Sequence, residues 1–199
     1  MLSMTHIAVG LASTIAVLSP QTPTELRPVV IGGAVGSIIC DIDCKYGKSK
    51  DAVLGRAVAG VISAVALYID IQNQGKIFFY ARETSIALMF LGLAMIFVTG
   101  YFARESEHRF FSHSLLAFVL YSVGLYLMCR PLVLPFIIGF VSHLLLDLLN
   151  YRPVHLLFPY KNGFSLKLCK AKSKANIVIM IAGFILLAVE LFQKILIHV

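Results

Sequence analysis

The sequence predicts an all-α, multi-pass membrane bundle of six to seven helices, and three observations predict it. Hydrophobic residues make up 59% of the chain and charged residues only 14%, with a mean hydropathy of +0.87, a balance far more apolar than that of a soluble domain. The apolar residues gather into seven runs separated by polar connections. None of these runs alternates every second residue, which argues against the strands of a membrane barrel.

The first run, Leu2–Leu18, has no early basic region and no small-residue cleavage site after it, so it reads as a retained helix rather than a signal peptide. Pro28–Cys40 follows, short for a span of about 20 residues and expected to be tilted or partly interfacial. Its Gly32, Gly33 and Gly36 suit close helix packing. Ala52–Ile71 and Thr84–Ala103 are comfortable spans, Ser114–Met128 is again short, and Leu132–Leu149 and Asn176–Ile197 complete the set. Residues 1–199 read as a single integral-membrane domain.

The net charge of +7 resembles a nucleic-acid signal, but its distribution argues against one. Lys45, Lys48 and Lys50 share one connection, Arg104 and Arg109 the connection two helices later, and Arg152, Lys161, Lys167, Lys170, Lys172 and Lys174 the one two helices after that. The intervening connections hold only Lys76 and Arg82, then Arg130. Alternate connections are therefore basic, and the positive-inside rule puts the rich set in the cytoplasm. The expected partner is a lipid bilayer with no nucleic acid. The Lys167–Lys174 stretch would draw anionic headgroups, and with them an anionic phospholipid substrate, at about 1 kcal/mol per charge.

Ionisable side chains beside a bilayer are costly, roughly 2.5 to 3.5 kcal/mol at a helix centre, so they are functional candidates. Three strings stand out: Asp41-Ile42-Asp43, His108-Arg109-Phe110-Phe111-Ser112-His113-Ser114 and His143-Leu144-Leu145-Leu146-Asp147. His143 and Asp147, four apart, share a helix face and can reach one cation or simply hydrogen-bond each other. Asp41 and Asp43 cannot share a helix face but can both turn to one site where the chain leaves a helix; the macrodipole disfavours them there without a compensating cation. His108 and His113 fit a loop followed by Ser112 as N-cap, with His113 in the first turn of the next helix. Arg109 offers a phosphate-binding fork or a snorkelling anchor. His6 enters at the same cytoplasmic level if Leu2–Leu18 starts there.

Together, His6, Asp41, Asp43, His108, His113, His143 and Asp147 supply four imidazoles and three carboxylates at one face. That inventory exceeds a single tetrahedral zinc and suits two or more divalent ions, zinc first, with manganese or iron as alternatives. Such a site activates water and clamps an oxyanion, so phosphoester hydrolysis is the natural chemistry. Asp43 and Arg109 are the candidate catalytic residues. No Gly-x-Ser-x-Gly elbow, His-Glu-x-x-His pair or Gly-x-x-x-x-Gly-Lys loop supplies another route.

The order Thr5-His6, Asp41-Ile42-Asp43, His108-Arg109-x-x-Ser112-His113-Ser114, Gly139-x-x-Ser142-His143-x-x-x-Asp147 and Leu156-Leu157-Phe158-Pro159 resembles the YdjM-like family of bacterial inner-membrane proteins. The resemblance spans His6 to about Leu166. It implies a metal-dependent hydrolase, grouped with the all-helical zinc-dependent phospholipase C and single-strand nuclease proteins, with those seven residues as ligands. Two departures stand beside it: the family usually has Pro before the first Asp and often His after the second, where this chain has Cys40 and Cys44. A Cys44 thiolate could replace the imidazole and favour zinc, or Cys44 could be a small buried residue. Arg56, one turn into a helix, is a snorkelling anchor or a phosphate contact, and His155 lies outside the core set.

The expected activity is thus membrane-bound hydrolysis of a phosphoester in a lipid or lipid-linked substrate. Three rivals are set against it. A metal-free lipid-phosphate phosphatase would need Lys/Arg-Pro, Pro-Ser-Gly-His and Ser-Arg motifs that this chain lacks. A metal or ion transporter would spread polar residues across the bilayer. A non-catalytic protein could use the same metal site to tie helices together.

Overall fold

The computed structural model describes residues 1–44 and 50–196; Lys45 and Lys48 of the first basic connection lie outside them. Eight α-helices occur among the described residues: α1 Ser3–Leu18, α2 Pro23–Gly36, α3 Lys50–Gln72, α4 Lys76–Glu83, α5 Ile86–Glu105, α6 Leu115–Met128, α7 Val133–Leu148 and α8 Lys174–Leu196. Strands are absent among the described residues, and the segment between α7 and α8 holds only the isolated bridges Asn150–Cys169 and Val154–Phe164. The all-α expectation holds. One helix more than the expected six to seven is present because α4, short and polar on one face, makes no apolar run.

Local chemistry sets the boundaries. Thr22 caps α2 by accepting from the Glu25 N–H at 3.2 Å, with Pro23 in the first turn where no N–H is needed. The run Pro28–Cys40 is not one helix: α2 ends at Gly36, and Ile39–Asp43 forms a separate 3-10 turn. Before α6 the N-cap is Ser114, which accepts from Ala117 N–H at 3.1 Å. This corrects the assignment of that role to Ser112, whose hydroxyl is engaged elsewhere.

Helices α2 and α7 form the closest-packed pair at the centre, α5 lies on α6, and α1 packs on α8 while also touching α2, α3 and α7. Glycine makes the central crossing possible: a Cβ on Gly139 would sit 2.5 Å from the Gly33 carbonyl oxygen, and one on Gly36 would overlap that of Phe136. Four helical stretches, Lys50–Gln72, Ile86–Glu105, Arg130–Leu148 and Lys174–Lys194, are long and apolar enough to cross a membrane. Large apolar side chains such as Val61, Phe90, Phe97, Val178 and Ile185 face outward, as a lipid-facing surface requires.

Chain direction then decides where the polar residues go. The start of α1, the 3-10 turn after α2, the start of α3, the loop between α5 and α6, and the end of α7 all lie at one end of the bundle. The contacts that show this are Ser3 N–H to Asp51 at 2.7 Å, Arg109 N–H to Asp43 at 3.0 Å and Arg109 to Asp147 at 2.7 Å.

Candidate metal centre

Four segments deliver the seven side chains to that end, and they meet. On α7, one helical turn places His143 Nε2 3.8 Å from Asp147 Oδ2. From the loop before α6, His113 brings its Nε2 to 3.3 Å from His143 Nε2 and 3.2 Å from Asp147 Oδ2. From the first turns of α1, His6 stacks its ring on His143 with centroids 3.8 Å apart and puts Nε2 3.3 Å from Asp147 Oδ1. The 3-10 turn does what an α-helix could not, presenting both acids: Asp41 Oδ1 is 3.9 Å from His143 Nε2, and Asp43 Oδ2 is 3.5 Å from His113 Nδ1. His108 closes the outer side, its Nδ1 2.7 Å from Asp43 Oδ1.

Burial grades across this set. His6, His113, His143 and Asp147 are sealed inside, while His108 is exposed. The outer members Asp41, Asp43, Cys44, His108 and Arg109 line an open cleft of about 1190 Å³, walled by both basic and acidic residues including Lys50, Arg152, Lys170, Lys172 and Glu107.

The supporting hydrogen bonds were not readable beforehand. Asp43 accepts from Ser112 Oγ in a short contact as well as from Arg109 N–H, and Ser112 Oγ also meets His113 Nδ1 at 2.7 Å. Ser3 Oγ donates to Asp41 at 3.2 Å, and the Met1 amine donates to Asp147 Oδ1 at 2.7 Å. Arg109 adopts a left-handed backbone, φ 66°, is buried, and pairs with Asp147 through NH2 while NH1 donates to the Arg152 carbonyl at 2.9 Å. Its own carbonyl accepts from the His155 backbone N–H at 3.1 Å and lies 3.0 Å from His155 Nδ1. The guanidinium is therefore a holder of Asp147, and His155 a holder of the Arg109 loop. Arg56 donates to the Asp41 and Cys44 carbonyls at 2.7 and 3.2 Å, which fixes the 3-10 turn from α3.

Electrostatics follow from this crowding. Burial alone would raise the Asp43 carboxyl, but hydrogen bonds from His108 and His113 hold it well below the usual carboxylate range. Burial likewise opposes a charged His113, yet Asp147 and Asp43 outweigh it and raise its pKa to about 9. Burial, reinforced by Asp41 and Asp43, pushes the Cys44 thiol up.

The donor set fits a divalent cation. Because the Ser37 carbonyl can only accept, the 2.7 Å contact to His143 Nδ1 makes that nitrogen the donor, and a neutral ring then turns its Nε2 lone pair toward His113, Asp41 and Asp147. A metal-binding imidazole is held in this way by an outer acceptor. Among the described residues His6 Nδ1 is buried without a hydrogen-bond partner, and Asp147 Oδ2 has no well-formed hydrogen bond although His113 Nε2 lies 3.2 Å away. Buried polar atoms without a well-formed hydrogen bond are costly, and here they lie among nitrogen and oxygen donors. Two groups, His6 with His143 and Asp147, and Cys40 with His113 and His143, each bring ligand atoms within 4.8 Å of one another.

A family model described as YdjM inner membrane protein matches residues 1–198. No curated protein and no solved structure matches the chain.

Proposed function

The chain belongs to the YdjM inner membrane protein family, and from that premise we propose that it is a membrane-bound metal-dependent hydrolase of a phosphoester in a lipid or lipid-linked substrate. The observation that carries this reading is the convergence of His6, Asp41, Asp43, His108, His113, His143 and Asp147 beneath an open cleft. In this reading those residues hold zinc, with two or more ions accommodated and manganese or iron as the competing metals. When bound, such a cation supplies Lewis acidity for water and charge compensation for an oxyanion.

The protein's own groups then have defined tasks. Ser112 and the Arg109 N–H orient the Asp43 carboxylate at the cleft floor, where its neighbours keep it charged and so suited to hold a cation and to accept a hydrogen bond from the attacking water. Arg109 fixes one oxygen of Asp147 and leaves the other to the centre. Lys50, Arg152, Lys170 and Lys172 line the cleft and are placed to meet a phosphate, a task for which the engaged guanidiniums of Arg109 and Arg56 are less available. The basic connections at this end put it on the cytoplasmic side in this reading, close to anionic headgroups.

Metal analysis of the protein purified in detergent, followed by a screen of lipid phosphoesters, tests the proposal. His143→Ala is expected to lose both metal and hydrolysis. Absence of transition metal together with unchanged hydrolysis in the variant would overturn it. The sealed state of His6, His113 and His143 favours a second reading, a metal that only ties helices together; metal retained in a protein inert on every substrate supports that one.

A further inference from the structure

The ligand atoms at this end divide by access. His6, His113, His143 and Asp147 do not reach the cleft, whereas Asp43, Cys44 and His108 line it. These three form a group of their own, with one ligand atom of each within 4.8 Å of the others. Cys44 Sγ lies 3.6 Å from His108 Nδ1, which itself lies 2.7 Å from Asp43 Oδ1. Two donors on one tetrahedral cation, with bonds of about 2.0 to 2.3 Å, stand about 3.5 Å apart. The sulfur–nitrogen spacing already meets that, and the imidazole and carboxylate need to part by only a fraction of an ångström.

We propose that Asp43, Cys44 and His108 form a second, cleft-facing cation position, distinct from the sealed one beneath it, in which the Cys44 sulfur selects zinc over manganese or magnesium. The proposal rests on the metal-centre reading above and refines it. Asp43 joins the two positions, one oxygen facing His108 and the other His113. The backbone of Cys44 is fixed on both sides, its N–H donating to the Asp41 carbonyl at 3.0 Å and its carbonyl accepting from Arg56 at 3.2 Å. A ligand on so constrained a turn is preorganised. On binding, the S–H bond breaks, a sulfur–metal bond forms, and the proton leaves to water through the cleft. A soft sulfur donor favours zinc, where an all-oxygen set would favour the harder cations.

Cobalt titration of the chelator-treated full chain in detergent separates the outcomes. Cobalt bound with both visible ligand-field bands and a near-ultraviolet thiolate charge-transfer band is expected in the wild type. Cys44→Ser is expected to lose the near-ultraviolet band, one equivalent of cobalt and about tenfold or more in zinc affinity at that position, while Cys129→Ser, at a cysteine outside every ligand group among the described residues, keeps the band. Cys44→His, which retains a ligand, is expected to keep the cobalt and lose the band, so a folding defect in the serine variant does not decide the matter. Cobalt bound without the thiolate band, or a band that survives Cys44→Ser, overturns this proposal and leaves the sealed centre standing. No cobalt binding at all overturns both.

Discussion

Removing the Arg109 guanidinium while keeping side-chain length, as in Arg109→Met, isolates the contact that anchors the centre. Arg109 NH2 is 2.7 Å from Asp147 Oδ1, and both side chains are almost wholly buried, at 6% and 1% exposure. Deleting one partner of a buried pair costs about 3 to 5 kcal/mol, because the other charge stays behind without compensation. The Met1 ammonium at 2.7 Å, His6 at 3.3 Å and His113 at 3.2 Å also face this carboxylate, which puts the expected loss at the lower end, about 3 kcal/mol. For a chain of this length each kcal/mol moves the midpoint by about 2 to 4 °C, so Tm should fall by about 6 to 12 °C. Thermal unfolding of metal-free protein in detergent, followed by circular dichroism, measures it. Arg109→Lys should fall between, since an ammonium keeps the charge but cannot reach Asp147 and the Arg152 carbonyl together. Zinc should raise Tm more in the Met variant than in the wild type, because a cation on Asp147 replaces the missing charge. A metal-free Arg109→Met protein that melts within about 2 °C of the wild type refutes the reasoning.

Ser112→Ala removes the hydroxyl shared by Asp43 and His113 and should weaken zinc binding by about 10- to 100-fold, read by competition with a chelator. Gly36→Val drives a side chain into the Phe136 carbonyl; the cost of about 1 to 3 kcal/mol should appear as a lower Tm. Asp70→Ala strips the acceptor for Ile77 and Phe78 N–H at the far end, at about 1 to 3 kcal/mol, and calorimetry should find its zinc affinity unchanged. In a cysteine-free background in intact cells, a membrane-impermeant maleimide should label Arg82→Cys and spare Lys161→Cys; the reverse pattern would invert the topology.

The helices were legible because a membrane segment announces itself by uninterrupted apolar length, and α1, α3, α5, α6, α7 and α8 coincide closely with the runs that predict them. What length cannot show is a change of helix type inside an apolar run. The end of α2 and the 3-10 turn merge in Pro28–Cys40, although that break is what lets Asp41 and Asp43 share a site. Helix α4 escaped for the opposite reason, being too short and polar to register. The seven His and Asp residues were visible because nothing in a lipid-facing sequence explains them. Ser3 and the Ser37 carbonyl were not, since a serine in a membrane helix or loop is unremarkable until its partner is known, and Ser112 was visible only as a helix cap, not as the partner of Asp43 and His113. The Arg109 side chain was visible, but its use was not: a fork suited to phosphate looks the same in sequence as one committed to a buried aspartate.

Asp70 shows why convergence, not mere burial of a charge, identifies the centre. It is as buried as His113 or His143 and lies in a helix apolar enough to span a membrane, so the cost of an intramembrane charge marks it equally. Its surroundings are different. One oxygen accepts from the N–H groups of Ile77 and Phe78 at 3.1 and 2.9 Å, where the start of α4 needs an acceptor. The other faces Arg27 at 3.5 Å. Asp70 is thus explained by the helix it caps and the cation beside it, with no imidazole or second carboxylate among the described residues brought to it. Asp147 has cation partners too, Arg109 and the Met1 ammonium on Oδ1, but the carboxylate also stands among three imidazoles from three segments, His6 at Oδ1 and His113 and His143 at Oδ2. A carboxylate needed only for capping would not draw α1, the loop before α6 and α7 to a single point, and that expense in buried polar groups is what the metal reading accounts for.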